Sequence, residues 1–97
     1  MSVIETHTFR LVEGTDIREF LGADRRVQTE LMLRKPTFIR RTTARGGDGD
    51  WLVVVIWSSG TDADTARAQL DADPASAAFM AFVDRPTLTT KRYETLD

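Results

Sequence analysis

Trp51-Leu52-Val53-Val54-Val55-Ile56-Trp57 is an unbroken run of seven apolar residues. Its shortness and its β-branched centre favour a strand over a buried helix. In a strand, alternate side chains point to opposite faces, so Trp51, Val53, Val55 and Trp57 form one set and Leu52, Val54 and Ile56 the other. Both sets are apolar, which requires cover on both faces. Immediately upstream, Gly46-Gly47-Asp48-Gly49-Asp50 is too glycine-rich to be anything but a turn. Phe38 to Arg45 before it is a second strand-like run, so the two segments form a hairpin.

Further out on the N-terminal side, Val3 to Val12 alternates like a strand, with Glu5, His7, Phe9 and Leu11 on one face. Asp16 offers an N-cap with Glu19 three residues on, followed by Ile17, Phe20 and Leu21. Gly22 is expected to interrupt this helix and Asp24 to cap a second piece carrying Val27, Leu31 and Met32. Pro36 stops it, giving one broken helix over residues 16–34. On the C-terminal side, Thr61 or Asp62 is expected to cap a helix with Ala63, Ala66 and Leu70 inward. Asp73-Pro74 restarts it, an N-cap with proline at the first helical position. Ala78, Phe79, Phe82 and Val83 form an apolar stripe, Pro86 is expected to end it, and Thr87 to Leu96 reads as a last strand.

The order β-α-β-β-α-β predicts an α+β, ferredoxin-like sandwich. It has a four-stranded antiparallel sheet, both helical segments on one face, and the first and third strands in the centre. Helices on one face leave the other face of the apolar third strand wet. At about 25 cal/mol per Å2, that loss is several kcal/mol, comparable to the whole stability of a small domain. A homodimer joined through its sheet faces removes the difficulty.

Composition narrows the function. The 97 residues make one domain, 1–97, and the absence of cysteine excludes disulfides, thiolate zinc and iron–sulfur sites, and a cysteine nucleophile. A single histidine, His7, argues against a protein-only metal site. The aspartates Asp62, Asp64, Asp71 and Asp73 read as helix caps and solvated charges, so no metal is assigned. Thirteen basic against fifteen acidic side chains give a net charge of −2, a poor match to a polyphosphate. RNA-recognition modules share this element order, but the third strand lacks their basic and glycine positions and is too apolar to stay open. No apolar run nears the roughly 20 residues of a membrane span, and the N-terminus lacks a signal-peptide layout. The expectation is a cytoplasmic protein without nucleic-acid or membrane partners.

Three stretches carry a resemblance. They are the third strand ending Val54-Val55-Ile56-Trp57-Ser58-Ser59, the Ala-rich helix Ala63 to Leu70, and Asp73-Pro74-Ala75-Ser76-Ala77-Ala78-Phe79-Met80-Ala81-Phe82. With Lys35-Pro36 and Phe38 opening the second strand, the chain resembles the antibiotic-biosynthesis-monooxygenase-like group of dimeric α+β barrel proteins. The resemblance spans nearly the whole chain. It implies a homodimer with one ligand pocket per subunit between sheet and helices. It also implies an activity: oxidation of an aromatic or polyketide-like small molecule by molecular oxygen, with no cofactor. Trp57 matches a pocket-lining tryptophan of the oxygenase branch. The haem-degrading branch uses a histidine on the second helix, and this chain has none between Asp62 and Asp84.

The candidate site follows. His7 and Trp57 are the catalytic candidates, His7 as a general base and Trp57 as a stacking wall. The alternatives are a strand-end histidine at the dimer seam or in solvent, and a core tryptophan with its N–H satisfied. Trp57, Arg41, Tyr93 and Phe79 are the substrate-binding candidates. Arg40 and Arg41 fall on opposite faces of their strand, and a salt bridge to Glu5, Glu94 or a partner-chain carboxylate accounts equally well for either. Two other functions suit the same shape: a non-catalytic ligand-binding or structural dimer, and a cyclase or isomerase using the pocket for acid–base work.

Overall fold

The computed structural model describes residues 1–96. Strand β1 (Val3–Leu11) is followed by helix α1 (Ile17–Arg26), β2 (Phe38–Arg45), β3 (Asp50–Trp57), α2 (Gly60–Asp71), α3 (Pro74–Met80) and β4 (Val83–Glu94). The strands form one antiparallel sheet in the order β2-β3-β1-β4, with β3 and β1 central as expected. This is the ferredoxin-like α+β arrangement. Trp51, Val53, Val55 and Trp57 are all buried against the helices, while Leu52, Val54 and Ile56 on the other face are only partly covered.

The helix-side core is built around Phe20, which is fully buried. Its ring centroid lies 4.9 Å from Trp51, 5.4 Å from Phe79 and 6.1 Å from Phe9, in tilted and edge-on contacts that rings favour. Trp57 stands six residues from Trp51 on the same face, about 20 Å away at strand spacing. There its neighbour is Phe38, with centroids 6.1 Å apart. The two tryptophans therefore serve opposite ends of the sandwich.

Several local expectations are corrected. Gly22 does not break the first helix, which runs through it on an exposed face. The irregularity comes later, as a wide π-helical turn at Val27–Leu31 and a 3-10 turn at Met32–Arg34. Asp24 caps nothing; it turns toward the sheet and bonds Arg41 and Thr43. Ser59, not Thr61 or Asp62, caps α2, its hydroxyl accepting from the Asp62 N–H at 3.1 Å. Asp73 caps α3 ahead of Pro74, as expected.

Pro86 lies inside β4, which starts at Val83. An edge strand tolerates proline, because the N–H it lacks need not reach a neighbour. The ladder with β1 is broken there: Thr8 pairs with Thr89 and Arg10 with Asp84, so two steps along β1 match five along β4. The Thr87 hydroxyl fills the gap, accepting from the Arg10 N–H at 2.8 Å. A smaller irregularity in β2 between Phe38 and Arg40 lets Phe38 and Arg41 both face the helices.

Candidate active site

Between the helix side of the sheet and its own helices lies a cavity of about 490 Å3. Its floor comes from β1 and β3, with His7, Val53, Val55 and Trp57. Val27 and Met32, at either end of the π-helical turn, Phe79 on α3 and Leu70 on α2 supply apolar walls. Such widened turns recur beside functional sites because they displace side chains from the regular helical stripe. A shallower surface depression of about 250 Å3 beside the β2–β3 turn, with Arg10, Asp48 and Asp50, contains no buried ionisable group.

Trp57 is 2% exposed and its indole Nε1–H donates to Glu5 Oε1 at 3.1 Å. Glu5 is itself 3% exposed, a carboxylate on the core face of the central strand. Its Oε1 also accepts from Arg67 of α2 at 2.9 Å, and its Oε2 from Arg92 of β4 at 2.9 and 3.3 Å. Arg92 reaches on to Asp64 at 2.7 Å. Desolvation, the largest influence on Glu5, pushes its pKa up. The hydrogen bonds and charges of Arg92 and Arg67 outweigh it and hold the carboxyl below its usual range. Glu5 thus stays ionised while tying three strands and a helix around one end of the cavity.

His7 faces the cavity from the next inward position of β1, with Nδ1 3.1 Å from Thr90 Oγ1. Its pKa is lowered, first by burial and then by the charges of Arg67 and Arg41, against an opposing pull from Glu5. The imidazole is therefore neutral at pH 7. Arg41 also lines the cavity; its side chain is 5% exposed, pairs with Asp24 at 2.8 Å and lies over the Phe79 ring at 5.5 Å.

The structure brings His7, Trp57, Arg41 and Phe79 to one cavity and leaves Tyr93 out of it. Tyr93 pairs with Ile4 on the face turned away from the helices and is 51% exposed, so it contributes nothing to this lining. The parity of β4 decides this, since Thr90 and Arg92 take the inward positions opposite His7 and Glu5. Arg41 bonds Asp24 rather than Glu5 or Glu94. The residue missed as a site group is Glu5. Its signal was present in the alternation: an acid in phase with Val3 and Phe9 on a core-facing strand requires cationic partners. Among the described residues no cluster of three or more histidine, aspartate or glutamate side chains is arranged to hold a metal ion. Nor, among the described residues, is any helix long and apolar enough to cross a membrane.

A four-stranded sheet with helices on one face and a cavity between them defines a ferredoxin-like α+β protein, and solved structures share that fold. SnoaB, a cofactor-independent oxygenase from Streptomyces nogalater, superposes with a TM-score of 0.80 over 99% of this chain and 94% of its own, at 20% identity. A candidate antibiotic biosynthesis monooxygenase from Bordetella bronchiseptica gives 0.79 over 98% and 97%, at 12% identity. A dimeric ferredoxin-like protein of unknown function from Thermobifida fusca gives 0.78 over 98% and 92%, also at 12%. No family profile matches the chain, and no curated protein matches it in sequence. Likeness at these identities establishes the fold, and the expected architecture stands.

Proposed function

We propose that this protein is a cofactor-independent monooxygenase acting on an aromatic or polyketide-like small molecule, and that it works as a homodimer. The observation that carries the reading is the convergence of a neutral, half-buried His7 and an immobilised Trp57 on one largely apolar cavity. A volume of about 490 Å3 lies within the range of small-molecule sites. The fold it shares with SnoaB, a cofactor-independent oxygenase, supports the reading by analogy.

In the tautomer that donates from Nδ1 to Thr90 Oγ1, the lone pair of Nε2 is free to take a proton. The substrate lies with its ring system against Trp57 and Phe79. His7 removes an acidic phenolic or ring-adjacent proton, and the resulting anion is rich enough in electrons to reduce dioxygen directly. One oxygen atom enters the substrate carbon and the other leaves as water, so a CH2 and O2 become C=O and H2O. Arg67 and Arg41, whose charges reach His7, favour the anion while it lasts. The non-polar walls keep bulk water from the intermediate.

The same base and cavity suit a cyclase or isomerase, and oxygen consumption separates the two. The test is to incubate the protein with polyhydroxylated anthrones and record oxygen uptake and product mass. Uptake matched one-to-one by product carrying one added oxygen atom supports the oxygenase. Turnover without uptake assigns acid–base chemistry, and no turnover with tight binding leaves a ligand-binding dimer.

A further inference from the structure

Two of the three methionines in the chain, Met32 and Met80, line the cavity. Met32, at the start of the 3-10 turn, is 2% exposed and offers a small molecule almost no surface. Met80 closes α3 and is partly exposed. Ser76 and Ala77, one turn earlier on the same helix, line the cavity with it. That spacing places the three side chains on one helix face. Met80 packs against the buried core there, and its partial exposure leaves the thioether within reach of a small molecule.

A thioether is soft and polarizable, and peroxides oxidise it without prior ionisation. Little else on the lining competes for such an oxidant. The chain has no cysteine. Trp57 is as deeply buried as Met32, and Tyr93 lies on the other face of the sheet. A peroxide formed in the cavity therefore meets Met80 first.

We propose that Met80 is an oxidation site, converted to methionine sulfoxide by hydrogen peroxide formed in the cavity, and that this conversion reversibly shuts the site down. The proposal rests on the oxygenase reading, which supplies the oxidant. When the ligand passes two electrons and two protons to dioxygen without forming a carbon–oxygen bond, the products are oxidised ligand and hydrogen peroxide. The Met80 sulfur then takes one peroxide oxygen as S=O, the O–O bond breaks, and the other oxygen leaves as water. Sulfur loses the two electrons that the peroxide gains. A flexible apolar side chain becomes a polar, chiral one in an apolar wall, where it opposes a hydrophobic ring system. Sulfoxide reductases reverse the change, so the loss is a switch and not terminal damage.

The experiment supplies 1,8-dihydroxyanthrone in air, with catalase to clear bulk peroxide and N-acetylmethionine as a reporter of whatever escapes. Oxygen uptake is recorded, and sulfoxide is located by peptide mass. Peroxide born beside Met80 acts at a far higher effective concentration than peroxide in bulk, so Met80 should be oxidised about tenfold faster than the reporter. Met32 should stay unmodified. With 1,8-dihydroxyanthraquinone, which cannot donate the electrons, no sulfoxide should form. The uptake rate of the parent should fall as Met80 is oxidised and return after treatment with sulfoxide reductases specific for the two epimers. Met80→Leu should hold its own initial rate over the same number of turnovers. Uptake with Met80 oxidised no faster than the reporter overturns the site and leaves the oxygenase reading standing. Sulfoxide without loss of rate, or an equal decline in Met80→Leu, overturns the switch. Uptake no greater than that of anthrone alone overturns the oxygenase reading and this proposal with it.

Discussion

The indole N–H of Trp57 and the carboxylate of Glu5 meet across two central strands, 3.1 Å apart and both almost wholly buried. Trp57 pairs in the ladder with Val3 and Glu5 with Val55, so the contact is a diagonal one on the helix face. It fixes the plane of the indole that forms one wall of the cavity. Arg67 and Arg92, bonded to the same carboxylate, supply the charge without which an ionised acid would not remain at this depth. Cavity wall and electrostatic hub are thus one unit.

Replacing Glu5 with Gln should therefore weaken the fold as well as the site. Both arginines keep over a third of their side-chain surface in water, so they tolerate the loss better than fully buried partners would. The expected loss is about 1–3 kcal/mol, below the 3–5 of a broken buried pair. The sign with pH is defined by the lowered folded pKa of Glu5. Its contribution is present above the unfolded value near 4.5 and lost as pH falls through the folded one. Urea unfolding at pH 7 and at pH 3 checks this, with the gap between Glu5→Gln and the parent narrowing at the lower pH.

For His7 the expected change is in turnover. His7→Ala should lower the oxygen-uptake rate by about 10²–10⁴, the usual span for loss of a general base, and leave the fold intact. Because burial and Arg67 depress its pKa, the acid limb of the rate profile should lie below 6.5, the ordinary histidine value. Removing the charge in Arg67→Gln should move that limb upward. A limb at or above 6.5 in the parent assigns the proton transfer to another group.

Trp57→Phe retains a ring at the wall and deletes the donor to Glu5. The stability cost should be about 1–3 kcal/mol, since a buried charged acceptor loses one of its bonds and a void is left. Turnover should fall more than ligand affinity, because stacking survives while the fixed plane does not. Thermal melts together with ligand titration separate the two effects.

The architecture was legible because burial period and turn chemistry agree along most of the chain. The seven apolar residues of β3, the glycine-rich turn before it and the Asp73-Pro74 cap each had one economical reading. The failures share a physical cause. Gly22 reads as a helix breaker, but its cost of about 1 kcal/mol is outweighed by burial of Phe20 and Ala23 on the same helix. Pro86 reads as a stop, yet a bulged edge strand accepts it. At the site, strand parity placed His7 in phase with Phe9, and Trp57 in phase with Val53. Register, which comes from tertiary pairing, was needed to bring the two sets together. Glu5 as a hub depends on arginines 62 and 87 residues away, a relationship no local pattern carries.

The outer face of the sheet carries the last prediction. Ile4, Leu52, Val54 and Ile56 cluster there on the two central strands, only partly covered, and no helix packs on them. Burial of one such side chain contributes about 1.5–3 kcal/mol, so a second copy laid sheet to sheet recovers enough to hold two chains together at micromolar concentration. Val54 sits in the middle of the face, paired with Thr6 on one side and Thr42 on the other. Val54→Lys should leave the helix-side core untouched but place a charge where the two sheets meet. Sedimentation equilibrium should give a dimer for the parent chain and a monomer for Val54→Lys, with the far-ultraviolet circular dichroism of the two alike. A stable monomer for the parent at micromolar concentration would sink the dimer, and the apolar face would then require a different partner.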